Sequence, residues 1–306
     1  MSAHSIATGE TTGEFHYRLD RRISGYRPGS HPGLSLGTGQ DFAAHARLFD
    51  HPDPRRLDLR ASIRNPRGDW LVRTYQQRAS INLQAVVDVS PSMLVGSAAS
   101  KLAVAADFVE SMGRSAFQVG DSAGLIAFDH QVRHDLFLPP RYSRGGASQM
   151  GQRLRELNPP LTHQKPTRIK PADHVLYGQA LNDAVRPLTG KKALIFLISD
   201  YHWPLKTLES TLESLTEHTV IPVVIWDHTE TEPPAKNGLL SLRDSESGQF
   251  RPVWMNEQRR QKWRTAVSER KSEIRTAFKT ANAEPLYLSH PFNPEVLSRY
   301  FLEERT

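Results

Sequence analysis

From Ile81 to Trp226 the chain alternates between short, almost wholly apolar runs and longer segments whose apolar residues recur at helical spacing. A strand covered on both faces must be apolar at nearly every position. Such strands belong to parallel sheets whose crossovers are helices. Strands are read at Ile81–Val87, Ala123–Phe128, Ala193–Ile198 and Val220–Trp226, with Gln131–Leu138 as a hairpin partner beside the second. Helices are read at Lys101–Phe117, Gln149–Leu157, Val175–Leu188 and Leu205–Glu217; in the first of them Leu102, Ala105, Ala106, Val109 and Met112 share one face. The expected fold class is α/β, a doubly wound, mostly parallel Rossmann-like sheet.

In such sheets ligands bind beyond the carboxyl ends of the strands. At that edge the first strand runs into Asp88-Val89-Ser90-Pro91-Ser92, and the third into Ser199-Asp200. One carboxylate with hydroxyls at alternate positions, joined by a second carboxylate from another strand, is an oxygen-only ligand set. It suits a hard cation, Mg²⁺ or Mn²⁺. The candidate metal ligands are therefore Asp88, Ser90, Ser92 and Asp200. Because the serines are neutral, a bound ion would keep charge with which to attract an acidic group of another molecule. The plainer alternative is a strand followed by a turn, with the serines satisfying backbone groups.

The flanks differ in character. Residues 1–40 are polar and rich in glycine and proline and read as an irregular N-terminal arm. Residues 41–79 read as a small β-rich segment. It has a short helical piece at Phe42–Phe49 and strands at Leu57–Ile63 and Trp70–Gln76, joined by the turn Asn65-Pro66-Arg67-Gly68. Residues 80–306 form the main domain. Within it Thr229–Pro234 breaks the rhythm, and a hairpin arm at about 239–254 is inserted around Asp244-Ser245-Glu246-Ser247-Gly248. Asn256 can cap a long helix, Glu257–Thr280, with Trp263, Val267, Ile274 and Phe278 on one face. A last strand at Pro285–Leu288 and a helix from Pro294 close the chain.

Four segments resemble the von Willebrand factor A (vWA)-like proteins of the DUF58 family, from about residue 40 to the C-terminus. Arg55 to Arg64 is similar to the family's arginine/Ile-Asp-Trp signature. Val87 to Met93 matches its first metal-site loop, with Lys101 and Ala105 entering the next helix. Ile198-Ser199-Asp200 looks like the second acidic loop, and Asp227–Pro234 with Leu242–Gly248 resembles a late "D…E…P…L-x-D-x-E-x-G" segment. Three departures stand out. Leu59 replaces the family's tryptophan, and His51-Pro52-Asp53 stands for its Gly-Asp-Asp. Val175 falls where a complete metal-ion-dependent adhesion site (MIDAS) has a threonine, if Gly178 and Ala180-Leu181 are aligned. Thr162, Thr167 and Asp173 lie upstream as substitutes. The resemblance implies a vWA-type sheet and a non-enzymatic protein–protein interaction module. It also implies an adaptor or chaperone-like maturation factor of bacterial type, with a MoxR-type AAA+ ATPase and its client protein as partners.

Other classes find less support. The net charge of +6 is spread from Arg18 to Arg305 and mixed with acids, without an aromatic-interleaved stripe, so no nucleic acid is expected. Arg141, Arg144 and Gly145-Gly146 read as a turn rimming the proposed site. The absence of cysteine excludes disulfides, thiolate zinc sites and a cysteine nucleophile. No run is apolar enough to span a bilayer, and Met1–Phe15 lacks the regions of a secretion signal, so a cytoplasmic location is expected. Of the 13 histidines only His130 and His134 are four apart, and in a strand that is about 13 Å, too far to share a zinc. There is no phosphate-binding G-x-x-x-x-G-K-[ST] loop, and neither Ser92 nor Ser199 lies in a G-x-S-x-G elbow. A metal-dependent hydrolase or phosphatase using Asp88 is the enzymatic alternative. Ser90, however, occupies the position where a haloacid-dehalogenase-like enzyme needs a second aspartate, and Asp200-Tyr201-His202 offers only an acid with an imidazole nearby in sequence.

Overall fold

A computed structural model of the chain describes residues 13–17, 29–37, 41–157, 174–188, 192–243 and 250–303. They fall into two compact units. One contains 13–17, 82–118 and the residues from 122 onward; the other contains 29–81 and 119–121.

The larger unit is built on a six-stranded sheet in the order β11-β8-β7-β4-β5-β6. Its strands are β4 (Asn82–Asp88), β5 (Ser122–Phe128), β6 (Leu138–Arg141), β7 (Ala193–Ser199), β8 (Thr219–Ile225) and β11 (Leu286–Leu288). All neighbours are parallel except β6, which pairs antiparallel with β5 at the edge. The central strands are buried almost throughout, which is why they read as unbroken apolar runs. The sheet is covered on both faces by α2 (Lys101–Val119), α3 (Gly146–Glu156), α4 (His174–Val185), α5 (Leu208–Ser214), α7 (Glu257–Lys279) and α8 (Pro294–Glu303). Ile195 and Leu197 of β7 join one core with Tyr177, Leu181, Leu208, Ile274 and Phe278. Phe196 between them packs edge-on against Phe108 of α2 at 5.2 Å and near Phe301 of α8 at 6.5 Å. This is the doubly wound α/β sheet expected from the alternation.

The connection from β4 leads to β5 on one side, whereas β7, on the other side of β4, leads on to β8. The order of winding therefore reverses between β4 and β7. A sheet opens a crevice at such a switch point, beyond the carboxyl ends of the two strands. Asp88 ends β4, and Asp200 directly follows β7.

Helix α4 reaches its place through Gly178, where a Cβ would lie 1.8 Å from the Thr207 hydroxyl oxygen just before α5. Gly178→Ala is expected to destabilise the protein by about 1–2 kcal/mol through this overlap, read as a lower urea midpoint with an unchanged slope.

Several local expectations are corrected. Gln131–Leu138 is not one strand. Arg133 bridges Asp129 and Asp135, and the chain turns through His134–Leu136 before β6 begins. Leu205–Glu217 is a shorter helix preceded by a 3₁₀ turn at Leu205–Thr207. Within the arm read as irregular, Phe15 and Tyr17 are buried in the larger unit. Phe15 stacks between Phe108 and Phe301 at 6.2 and 6.3 Å. Two aromatic side chains in a polar stretch were enough to earn a place in the core. The hairpin arm is present as β9 (Gly238–Arg243) and β10 (Phe250–Met255), and Asn256 caps α7 by accepting the Arg259 N–H at 3.0 Å.

The smaller unit is an antiparallel sheet in the order β1-β3-β2, from β1 (His31–Gly37), β2 (Asp41–Arg47) and β3 (Leu71–Ala79). β1 lies within the arm read as irregular. β2 replaces the helix expected over Phe42–Phe49, because pairing with β3 sets Phe42 opposite Tyr75 with their rings edge to face at 6.4 Å. The strand expected over Leu57–Ile63 is instead helix α1 (Leu59–Arg64). Asp58 starts it by accepting the Ala61 N–H at 3.0 Å, while its other oxygen takes Arg73 Nε at 2.8 Å. The Ala61 N–H, with Arg73 and His45, holds this carboxyl below the usual range. Gly68 adopts φ +71° in the turn before β3, as its sequence promises.

Candidate functional site

Asp88 has no exposed surface, and Ser90 and Ser92 are almost as buried. β4 delivers the carboxylate, and the following turn folds back over it: Ser90 N–H donates to Asp88 Oδ1 at 2.9 Å. Pro91 then opens a short 3₁₀ turn, Pro91–Leu94, which brings the Ser92 hydroxyl to 3.1 Å from that of Ser90. β7 supplies the other half. The Ser199 hydroxyl donates to Asp88 Oδ2 at 2.6 Å while accepting the Tyr201 N–H and the Trp203 indole N–H at 2.9 and 3.1 Å. Asp200 is fully buried beside it and is hydrogen-bonded by Ser92. All four residues expected to form the site thus meet at the switch point.

Tyr201 follows with φ +53°, a left-handed conformation that a bulky residue adopts only where its surroundings hold it. Here they do: its hydroxyl donates to Leu197 O at 2.8 Å, and Arg270 of α7 donates to its carbonyl. Asp200, just before this turn, keeps its carboxylate fully buried. Its oxygens accept Lys101 Nζ at 2.7 Å and the His202 N–H at 3.1 Å.

Lys101 is the residue whose role sequence reasoning missed. Its side chain is 2% exposed, and its ammonium also donates to Glu230 Oε1 at 2.6 Å. A lysine at the first position of a helix opposes the helix dipole, so an acidic partner was to be expected. Glu230 belongs to the short helix α6 (His228–Thr231), where Asp227 and Glu230 form a capping box. That D-x-x-E spacing was the legible signal for it. Asp227 also accepts the Ser97 N–H and hydroxyl at 2.9 and 2.8 Å, tying the loop before α2 to the loop after β8.

The electrostatics divide the site. Burial, and the nearby negative charge of Asp200, push the Asp88 carboxyl up to about 6 against the pull of Ser199 and Ser90. Burial would raise Asp200 too, but Lys101 and His202 outweigh it and hold that carboxyl below its ordinary value. Burial lowers Lys101, but Asp200 and Glu230 more than compensate and raise it. Asp200 therefore has its cation, whereas among the described residues Asp88 has none.

This asymmetry tests the fit of a metal ion. Among the described residues no three His, Asp or Glu side chains are grouped to hold one. A cation here would depend on carboxylate and hydroxyl oxygen. Asp88, Ser90 and Ser92 provide such a set around a carboxylate that has no cation partner among the described residues, a donor type that fits Mg²⁺ or Mn²⁺. Asp200, already paired with Lys101, would be the less available oxygen donor. Val175 lies in the first turn of α4, but its side chain is outside the described residues, as are Thr162, Thr167 and Asp173. His202 lies beside Asp200 and helps to hold its carboxyl low. Its imidazole stacks on Trp226 with 6.0 Å between centroids and faces Glu230 at 3.8 Å.

The family model described as "Protein of unknown function DUF58" matches residues 47–273. No curated protein matches the chain. Among solved structures, the chain is similar to an aerotolerance-related membrane protein from Bacteroides fragilis NCTC 9343. Identity is 18% and the TM-score 0.43, over 74% of this chain and 98% of that one. It is similar to the conserved hypothetical protein BatB from Bacteroides thetaiotaomicron at 18% identity and TM-score 0.40, over 74% and 97% of the two chains. A von Willebrand factor type A structure from Catenulispora acidiphila gives 13% identity and TM-score 0.35, over 76% of this chain and 43% of that one.

Proposed function

The chain belongs to the DUF58 family, and on that premise we propose that it is a non-enzymatic protein–protein interaction module that recognises its partner at the switch point of a vWA-like sheet. The observation that carries this reading is the meeting of Asp88, Ser90, Ser92 and Asp200 there, with the Asp88 carboxylate lacking a cation among the described residues. Asp88, Ser90 and Ser92 would hold Mg²⁺ or Mn²⁺. Once bound, the ion would offer a positive centre to an acidic side chain of the partner. Lys101 keeps Asp200 ionised, and Ser199 holds the Asp88 carboxylate in place. Among the described residues no helix is long and apolar enough to cross a membrane. The resemblance to DUF58 proteins associated with MoxR-type AAA+ ATPases points to such an ATPase and its client as the partners. The chain then acts as an adaptor or maturation factor in the cytoplasm.

Affinity capture from the native host lysate, in Mg²⁺ and in EDTA, tests the reading. An AAA+ ATPase or its client is expected to be retained at least tenfold better in Mg²⁺, and Asp88→Ala is expected to abolish the difference. Equal retention in both buffers removes the ion from recognition. Phosphoesterase turnover that is lost in Asp88→Ala would replace the proposal with the hydrolase alternative.

A further inference from the structure

A groove of about 520 Å³ opens beside the Lys101–Glu230 pair, between β10 and the first half of α7. Its floor is apolar and formed by Trp226, Trp263, Val253, Met255 and Val267. Both indoles are held in place from below. Trp226 Nε1 donates to Asp200 O at 2.7 Å, and Trp263 Nε1 donates to Glu230 O at 2.8 Å. The groove is thus preformed, which reduces the ordering cost of filling it. Its rim is cationic. Arg259 and Lys262 are exposed, and among the described residues neither has an ion-pair partner, whereas the lining acid, Glu230, is already paired with Lys101.

We propose that this groove is a second recognition site, which takes a peptide segment of a partner protein carrying a large apolar side chain flanked by aspartate or glutamate. The volume holds one or two large side chains. The free cations at the mouth select acids beside them, so charge complementarity names the occupant. The opposite face of the β9–β10 hairpin adds exposed Trp254, Leu239 and Phe250. Trp254 and Leu239 are cross-strand partners, and Phe250 follows the same alternation. That apolar area beyond the groove suits a macromolecule more than a small carboxylate. Recognition in the groove proceeds by side-chain insertion. The inference rests on reading the chain as a recognition module, but it uses a surface that needs no metal ion.

The test is fluorescence anisotropy with a labelled peptide, Gly-Ser-Asp-Asp-Leu-Trp-Glu-Asp-Gly-Ser, against the full chain in EDTA. Binding is expected, weakened at least tenfold when the acids become lysine or when Leu-Trp becomes Ala-Ala. The double variant Arg259→Glu/Lys262→Glu changes only exposed side chains and should fold normally; it is expected to weaken binding at least tenfold. Val267→Arg, which fills the floor, is expected to abolish it. Because the assay is run in EDTA, a failed metal-site proposal and a failed groove are separable. The proposal is overturned if no peptide binds, or if the charge-reversed variant binds like the parent. It is also overturned if binding requires Mg²⁺, or if the Ala-Ala peptide binds equally well, which would mark a mere polyanion surface.

Discussion

Lys101→Met is expected to lower the stability of the larger unit by about 3–5 kcal/mol at pH 7, the usual cost of removing one partner from a buried ion pair. The lysine has 2% of its side chain exposed and sits between Asp200 and Glu230 at 2.7 and 2.6 Å. Methionine matches its length and packs well in apolar surroundings, so lost charge, more than lost volume, sets the penalty. The two carboxylates left behind are held below their ordinary values by this ammonium among other partners. A lowered carboxyl contributes stability above its unfolded value, near 4, and loses it as the pH falls through the folded value. The gap between parent and variant should therefore be widest at neutral pH and should narrow below about pH 4. Urea unfolding at pH 7 and at pH 3.5 measures both. Lys101→Met/Asp200→Asn should recover a large part of the loss, because it removes one of the stranded charges. A gap under about 1 kcal/mol, typical of a solvated surface pair, would mean that Lys101 is not the built-in cation of this site.

The sheet was legible because burial on both faces leaves an unmistakable trace. β4, β5, β7 and β8 sit within a residue or two of where their apolar runs place them. From those strands and their order in the chain, the position of Asp88 and Asp200 at one edge followed. The smaller unit was misread for the opposite reason. β2 contains Ala43, Ala44 and Ala46, whose intrinsic preference is helical, and only pairing with β3 makes it a strand. Over Leu57–Ile63 the period-2 pattern concealed the Asp58 cap. At the site the ligand types were legible but the charge balance was not. Lys101 and Glu230 are 129 residues apart, and no local pattern joins them. The role of Ser199 was equally hidden. A serine before an acid invites thoughts of a nucleophile, yet here its hydroxyl accepts two hydrogen bonds and spends its proton on Asp88.

Asp88→Asn is expected to stabilise the metal-free protein above pH 7 while ending cation binding. The carboxyl is raised to about 6 because burial and Asp200 disfavour its ionised form. In the unfolded chain it ionises near 3.9. Between those values the native state binds the extra proton, so stability falls as the pH rises through about 6. The displacement of roughly two units corresponds to about 3 kcal/mol across that window. Asparagine avoids the charge, but its amide group faces a donor at one of the two positions now served by Ser90 N–H and Ser199, at a cost of about 1 kcal/mol. In EDTA the variant should then exceed the parent by about 1–2 kcal/mol at pH 8, and the order should reverse below pH 4, where Asp88 is neutral in both states. Added Mg²⁺ should raise the melting temperature of the parent alone, and less at pH 5.5 than at pH 8, since a proton competes for the same oxygens. A residue that weakens the resting fold and is retained for what it binds follows the usual trade of stability against function. An asparagine variant less stable than the parent at pH 8, with no Mg²⁺ response in either, would instead make Asp88 a structural cap whose only task is to hold Ser90 and Ser199 in place.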